Sequence, residues 1–157
     1  MRIRFISTMS VGAALLATAV LLVPPAMADT HAHGKQVEVV VYKDPNCGCC
    51  KNWIDHLRKH GFKVTSHDTR DMNTVKANSG VKSDLQSCHT AMVGGYVVEG
   101  HVPAADIQRL LKQRPKIAGL AVPGMPMGSP GMEGPTTDKY DVIAFEKSGR
   151  TKVFSRH

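Results

Sequence analysis

Aromatic residues and clustered charge are both scarce in this sequence. Phe, Tyr and Trp together make up 5% of the 157 residues, and the formal net charge of +7 comes from basic residues scattered along the chain. Proteins that bind nucleic acid usually group their basic residues on one face or segment, often with aromatic side chains for stacking. The composition therefore argues against nucleic acid as a partner.

Long apolar runs are absent after the first residues of the chain. Two arginines precede an apolar run at residues 11–23, and residues 26–28, with the sequence AMA, form a small-x-small cleavage signal. The run is too short and wrongly flanked for a stable membrane span, whereas a secretory signal peptide has this layout. We predict a signal peptide at residues 1–28, cleaved after Ala28, with an uncleaved N-terminal anchor as the alternative.

The chain after the predicted cleavage point is long enough for one compact domain but cramped for two. Residues 29–36 are polar and contain histidine, which predicts a flexible N-terminal lead. Residues 37–157 carry the apolar periodicity and turn residues of a folded domain, and they contain no internal repeat. We therefore predict a single domain over residues 37–157.

Apolar periodicity and turn residues predict an α/β domain with the element order β-α-β-α-β-β-α and an added C-terminal β-hairpin. This order is that of a thioredoxin-like fold, in which the reactive cysteines lie between the first strand and the first helix. The predicted strands are residues 37–42, 62–65, 90–93, 96–99, 140–145 and 151–154, and the predicted helices are residues 51–60, about 72–80, and 103 to just before Pro115.

Cysteine is also rare, and three of the four cysteines lie in one short segment. Cys47, Cys49 and Cys50 fall where the first predicted strand ends and the first helix begins, and Cys88 precedes the third strand. A helix N-terminus favours a thiolate because its free N–H groups and its dipole are positive. A thiolate is both the nucleophile of disulfide exchange and a ligand for soft metals, so position alone leaves both chemistries open.

The spacing of the cysteines favours a soft metal. Cys47 and Cys50 keep the separation of a redox pair, but Cys49 lies between them, and residues 87–90 (SCHT) lack the proline that thioredoxins carry before the third strand. Three thiolates in one loop suit a sulfur-bridged Cu(I) site, and we predict Cys88 as the fourth sulfur. A Cys47–Cys50 or Cys49–Cys88 disulfide without metal, and a zinc site, stay open as alternatives.

Softer and harder accessory ligands are available elsewhere in the sequence. Met125 and Met127 lie in a Gly/Pro-rich loop at residues 122–135, where helical or strand periodicity does not explain them. Thioethers bind Cu(I) well, although methionines in such a loop also serve as flexible fillers of a core. His101, which follows the predicted hairpin, is a further candidate ligand or a capping group, and His89 beside Cys88 is another candidate ligand.

A second copper site is predicted at the mature N-terminus. Cleavage after Ala28 would leave a chain that begins Asp29-Thr30-His31. The free amine, two amide nitrogens and the imidazole of His31 would offer four nitrogens in one plane, which is the ligation that Cu(II) prefers. This hypothesis depends on the predicted cleavage site.

Four motifs together resemble the CopG-type periplasmic copper-resistance proteins. They are PNCGCCK at residues 45–51, SCHT at 87–90, EGHVP at 99–103 and GLAVPGMP at 119–126, and the resemblance extends over about residues 37–154. It implies a thioredoxin-like domain in the bacterial periplasm that binds copper, with a multinuclear Cu(I)–thiolate cluster as one form of the site. It also implies interconversion of Cu(I) and Cu(II) alongside copper efflux.

We therefore predict a periplasmic protein that binds copper and contributes to copper resistance, with copper ions as ligand and an efflux or electron-transfer protein as partner. Copper oxidoreductase activity is one form of this prediction, and a passive Cu(I) chaperone for an efflux system is another. The alternative from a different class is a thiol–disulfide oxidoreductase that uses Cys47 and Cys50.

Overall fold

The computed structural model describes residues 36–157. The predicted signal peptide and residues 29–35 of the predicted lead, with His31, lie outside the described residues. The elements in chain order are β1 (Glu38–Lys43), α1 (Gly48–Lys59), β2 (Lys63–Asp68), α2 (Met72–Asn78), a 3-10 turn (Ser83–Leu85), β3 (His89–Val93), β4 (Tyr96–Glu99), α3 (Ala104–Gln113), β5 (Gly119–Ala121), β6 (Asp141–Phe145) and β7 (Thr151–Arg156).

The seven strands form one mixed sheet with the order β2-β1-β3-β4-β5-β6-β7. β1 and β2 are parallel and joined through α1, β3 pairs antiparallel with both β1 and β4, and β4 and β5 are parallel. The C-terminal strands β6 and β7 form the antiparallel hairpin that continues the sheet. The predicted α/β class and element order are confirmed, and β5 is an additional strand that joins the hairpin to the rest of the sheet.

Local sequence accounts for most of these elements. The β-branched residues of β1 suit a strand with neighbours on both sides, and Val39 and Val41 are fully buried. α1 ends just before Gly61, whose φ of +87° is a conformation that glycine adopts at little cost. The turn between β3 and β4 uses Gly94 and Gly95, both with positive φ, as a tight hairpin requires.

The main core lies between the sheet and helices α1 and α3. Trp53, Ile54 and Leu57 of α1 and Ile107 and Leu110 of α3 are buried with the apolar side chains of the central strands. Trp53 is also tied by a hydrogen bond of 2.9 Å from its Nε1–H to the carbonyl of Val102, which precedes α3. This bond fixes the start of α3 against α1, close to the cysteine segment. Over residues 36–157, no helix is both long and apolar enough to cross a bilayer.

The C-terminus is anchored to α3 by a buried carboxylate. Asp106 accepts hydrogen bonds from Arg109 at 3.0 Å and from His157 at 2.7 Å. Arg109 also stacks over the ring of Phe154, with its guanidinium carbon 4.0 Å from the ring centre. The hairpin of β6 and β7 is therefore tied to α3 by its last residue as well as by the sheet.

Candidate metal centre

Three chain segments that carry metal-binding side chains meet at one end of the sheet. In the sheet register, Lys43 at the end of β1 pairs with His89 at the start of β3, and Thr90 pairs with Glu99 at the end of β4. The residues that follow β1, precede β3 and follow β4 therefore lie side by side. The sequence places cysteines in the first two segments and His101 in the third.

The four cysteine sulfurs form one group. Cys47 and Cys50 are joined by a disulfide, while Cys49 and Cys88 are free thiols. Cys49 Sγ lies 3.5 Å from Cys47 Sγ and 3.8 Å from Cys88 Sγ. Cys49 is thus the sulfur that connects the pair at the start of α1 with the distant cysteine. All four sulfurs lie within 4.8 Å of one another, which is close enough for shared metal ions.

The N-terminus of α1 favours negative charge on the sulfurs of residues 47–50 when they are reduced. Cys47 is the N-cap residue, and its sulfur accepts a hydrogen bond of 3.3 Å from the backbone N–H of Cys50. Free N–H groups and the helix dipole stabilise thiolates at this position. Cys50 is fully buried, whereas the other three sulfurs belong to half-buried residues that a metal ion can reach.

Two imidazoles flank Cys88. Its sulfur lies 2.9 Å from Nε2 of His101 and 3.3 Å from Nδ1 of His89. The other ring nitrogen of His101, Nδ1, is 2.7 Å from the carbonyl oxygen of Pro130. A carbonyl oxygen only accepts hydrogen bonds, so Nδ1 of His101 carries the proton and Nε2 presents a lone pair toward Cys88.

Burial sets the protonation states around Cys88. It lowers the pKa of His101, and it holds the pKa of fully buried His89 well below its usual value, with the charges of His101 and Lys76 adding to the effect. Burial, and then the neighbouring Cys49, raise the pKa of Cys88 to about 12. Both imidazoles are therefore neutral at neutral pH. A metal ion that binds Cys88 must displace its proton.

His89 has a further unusual feature. Its ring packs against that of Trp53 with 4.3 Å between the centres, and its Nε2 has no hydrogen-bond partner among the described residues although it is buried. A buried ring nitrogen without a partner normally costs free energy, so such an atom calls for an explanation. The other ring nitrogen, Nδ1, faces the sulfur of Cys88, so thiols and imidazoles that suit a soft metal ion lie together at this end of the sheet.

The loop after β5 packs against the N-terminus of α1. Pro130 anchors it to His101, and Gly131 passes so close to the helix that a Cβ at this position would lie 2.7 Å from the carbonyl oxygen of Cys49 and 2.8 Å from the backbone nitrogen of Trp53. The φ of Gly131 is +87°, which side chains of L-amino acids rarely allow. The loop therefore depends on glycine here.

Replacement of Gly131 by alanine is expected to destabilise the protein by about 1–3 kcal/mol, because the backbone conformation and the contact with α1 both become strained. Urea unfolding followed by circular dichroism measures this effect. Gly134→Ala is the matched control, since its Cβ would meet only the flexible end of Met127 and its φ is not positive. Equal stabilities of the two variants would contradict the expected role of Gly131.

The structure brings some of the predicted site residues together and leaves others apart. Cys47, Cys49, Cys50 and Cys88 form one group, and Cys88 also belongs to a second group with His89 and His101. Met125 is 52% exposed, and the end of the Met127 side chain lies against Gly134. His89, predicted as a candidate from its position beside Cys88, lies in that second group, which could hold a metal ion.

The fold and the site together define a mixed α/β protein with four clustered cysteines at which a soft metal ion could bind. Two solved structures share this fold, and both are of the copper resistance protein CopG, in forms 2 and 1. Each is 49% identical to this chain, with TM-scores of 0.75 and 0.74. The matches cover 78% of this chain and 99% and 98% of the CopG chains. The chain belongs to the CopG family.

A family model described as a protein of unknown function, DUF411, matches residues 85–132. This stretch contains Cys88, His101 and the loop that covers the helix start, but not the three cysteines of residues 47–50. No curated protein matches the chain at a significant level.

Proposed function

We propose that this protein binds copper as Cu(I) at the four-cysteine group and contributes to copper resistance. The observation that carries the proposal is the grouping of four sulfurs with the lone pair of His101, all within bonding reach of a few ions. Thiolates and imidazoles are the ligands that Cu(I) favours, whereas hard cations such as Mg²⁺ and Ca²⁺ require oxygen ligands. The two similar solved proteins are copper resistance proteins, which supports copper as the metal.

The sulfur arrangement favours shared rather than single-ion ligation. Cys49 lies between Cys47 and Cys88, so its thiolate is placed to bridge ions held by its two neighbours. Reduction of the Cys47–Cys50 disulfide supplies the remaining two thiolates. We propose a multinuclear Cu(I)–thiolate cluster, with His101 as an added ligand. Met125 and Met127 remain candidate thioether ligands.

A redox role is the next part of the proposal. A site that combines thiolates with neutral imidazoles accommodates both Cu(I) and Cu(II), so interconversion of the two ions needs only an electron partner. We propose export through the signal peptide at residues 1–28 to the periplasm, followed by the lead at 29–36 and the copper-binding domain. A Cu(II) site at His31 and transfer of copper to an efflux protein belong to the same proposal.

Anaerobic titration of the reduced protein with Cu(I), followed by native mass spectrometry, tests the function. At least one tightly bound Cu(I) per chain is expected, and several per chain would support a cluster. Fewer than one tightly bound Cu(I) per chain would contradict the proposal. His60→Ala provides a control, because His60 lies beyond the opposite end of α1, about 18 Å from the cysteines for a helix of this length.

A second candidate function follows from the disulfide itself. Cys47 and Cys50 form a disulfide at a helix N-terminus, which is the arrangement of thiol–disulfide oxidoreductases. Reduction of insulin by the copper-free protein, with full activity retained in Cys88→Ser, would favour this function over copper binding. Loss of Cu(I) binding in the same variant, without insulin reduction by the wild type, would favour copper.

Trp53 offers a built-in reporter for copper binding, because it is the single tryptophan of the chain. Its ring packs on His89, whose Nδ1 lies 3.3 Å from the sulfur of Cys88. We expect Trp53 fluorescence to fall during the titration and to level off at the same copper-to-protein ratio as the mass spectra. Unchanged fluorescence in a protein that binds copper would place the metal away from Cys88.

A further inference from the structure

A buried ion pair lies next to the segment that carries Cys88. Lys76 Nζ of α2 is 2.5 Å from Glu99 Oε1 at the end of β4, and their side chains are 6% and 0% exposed. Burial of two charges carries a large desolvation cost, and well-packed apolar residues often replace such pairs without loss of stability. The pair is therefore not explained by stability alone, so its other contacts are informative.

Those contacts are made to residues on both sides of Cys88 in the sequence. Glu99 Oε1 also accepts a hydrogen bond of 2.7 Å from the backbone N–H of Ser87, and Glu99 Oε2 accepts one of 2.6 Å from the hydroxyl of Thr90. Lys76 in turn donates to the Thr90 hydroxyl at 3.2 Å. One carboxylate thus holds the residue before Cys88 and the second residue after it.

The segment that carries Cys88 is also tied to the loop after β5: the Gly124 N–H donates to the Gln86 carbonyl at 3.0 Å, and the Ser87 hydroxyl donates to the Gly124 carbonyl. Gln86 and Ser87 lie outside any helix or strand, and β3 begins only at His89. A backbone N–H outside regular structure needs a side-chain or solvent partner, and Ser87 finds it in the Glu99 carboxylate. Loss of this acceptor would leave the buried side of the Ser87 backbone without its partner and loosen the backbone that places the Cys88 sulfur beside Cys49 and His101.

The turn after Glu99 depends on the same contact region. The Gly100 N–H donates to the His89 carbonyl at 3.0 Å, and a Cβ on Gly100 would lie 2.5 Å from the Ser87 side chain. Gly100 connects Glu99 to His101, so a shift of the Ser87 segment would also disturb the imidazole that faces Cys88. Glu99 therefore connects the two ligand positions: it is hydrogen-bonded to the residue before Cys88 and lies two residues before His101 in the chain.

We propose that Glu99 is the positioning residue for Cys88, and that it acts through the hydrogen bond from its carboxylate to the Ser87 N–H. Lys76 supplies the buried counter-charge that permits an ionised carboxylate at this depth. The proposal rests on the proposed copper-binding role of Cys88. Outer residues that orient metal ligands commonly change metal affinity by about 10- to 100-fold when they are replaced.

Two variants separate positioning from stability. Glu99→Gln keeps an oxygen that accepts from Ser87 but leaves Lys76 buried without a counter-charge, so it is expected to unfold at lower urea concentration while Cys88 stays in place. The double variant Lys76→Met/Glu99→Leu removes both charges and fills the space with apolar side chains. It is expected to keep most of its stability but to lose the acceptor for Ser87.

The first readout needs no copper. In the reduced protein, trypsin releases Cys88 as the single cysteine of residues 83–109, so its alkylation by iodoacetamide can be timed by mass spectrometry. Cys88 in Lys76→Met/Glu99→Leu is expected to react about tenfold faster than in the wild type, because local opening exposes it. The alkylation rate of Cys88 in Glu99→Gln should stay within about threefold of the wild-type rate.

The second readout is Cu(I) affinity, measured by competition with a chelator. The Cu(I) affinity of the double variant is expected to fall about 10- to 100-fold, and that of Glu99→Gln is expected to fall much less. Asp106→Ala is the matched control, since it removes another buried, ion-paired carboxylate, in the first turn of α3, whose partners Arg109 and His157 do not belong to the cysteine group. It should lower stability without changing Cys88 alkylation. Wild-type alkylation rates in the double variant, or affinities that simply follow stability across the variants, would overturn the proposal. Failure of the wild type to bind copper would overturn the proposed function but leave the alkylation result to decide on Glu99.

Discussion

Cys49→Ser is expected to lose at least about 100-fold in Cu(I) affinity, which corresponds to about 3 kcal/mol of binding free energy. The reason is the position of the sulfur. Cys49 Sγ contacts both Cys47 Sγ, at 3.5 Å, and Cys88 Sγ, at 3.8 Å. A serine hydroxyl at this point is a harder and weaker ligand for Cu(I) and cannot bridge ions as a thiolate does.

The measurement is chelator competition under anaerobic conditions, with the copper count taken from native mass spectra. Cys49→Ser should bind fewer Cu(I) ions than the wild type, while its unfolding midpoint stays close to the wild-type value because the residue is only half-buried. His60→Ala should match the wild type in both measurements. A Cys49→Ser protein that binds the full complement of copper at wild-type affinity would rule out a bridging role for this sulfur.

Much of the site could be predicted because it lies at element boundaries. A β-branched strand followed by a helix with an apolar stripe locates Cys47, Cys49 and Cys50 at the start of α1. The tight hairpin at Gly94 and Gly95 fixes β3 as a short strand. Because β3 is short and ends at this hairpin, Cys88 is predicted just before the start of β3. The register of β1 with β3 then brings the two segments together.

The parts that sequence could not supply are contacts between distant residues. Lys76 lies in a short helix that looks exposed by pattern, yet it is buried against Glu99. The carbonyl of Pro130 fixes the His101 tautomer across 29 positions of sequence. β5 spans only Gly119–Ala121, and a strand this short shows no recognisable alternation of apolar and polar residues. Each of these features depends on the packed fold rather than on local pattern.

The state of the cysteines was also left open by sequence. Spacing allowed a metal site, a Cys47–Cys50 disulfide or a Cys49–Cys88 disulfide. The structure contains the first of these disulfides and leaves Cys49 and Cys88 as thiols 3.8 Å apart. The same four residues can therefore hold either a disulfide and two thiols or four thiolates. Oxidation state then decides how many copper ligands the protein offers.

Oxidation of the Cys47–Cys50 pair is expected to remove about half of the Cu(I) capacity or more, since disulfide sulfurs are no longer thiolates and bind metal poorly. Trypsin releases residues 44–51 as one peptide, so the disulfide appears as a peptide lighter by two hydrogens, and the oxidised fraction can be counted directly. Copper capacity should fall in proportion to that fraction.

Reduction of the oxidised protein, followed by anaerobic removal of the reductant, should restore the full capacity. The double variant Cys47→Ser/Cys50→Ser is the control, because it cannot form the Cys47–Cys50 disulfide. The peptide masses also report whether its remaining thiols, Cys49 and Cys88, stay unpaired during mild oxidation. Its copper count should be low and the same before and after treatment whenever those two thiols remain free. Equal Cu(I) capacity in oxidised and reduced wild type would mean that Cys49, Cys88 and the imidazoles bind all of the copper. Cys47 and Cys50 would then serve thiol–disulfide chemistry and not the metal site.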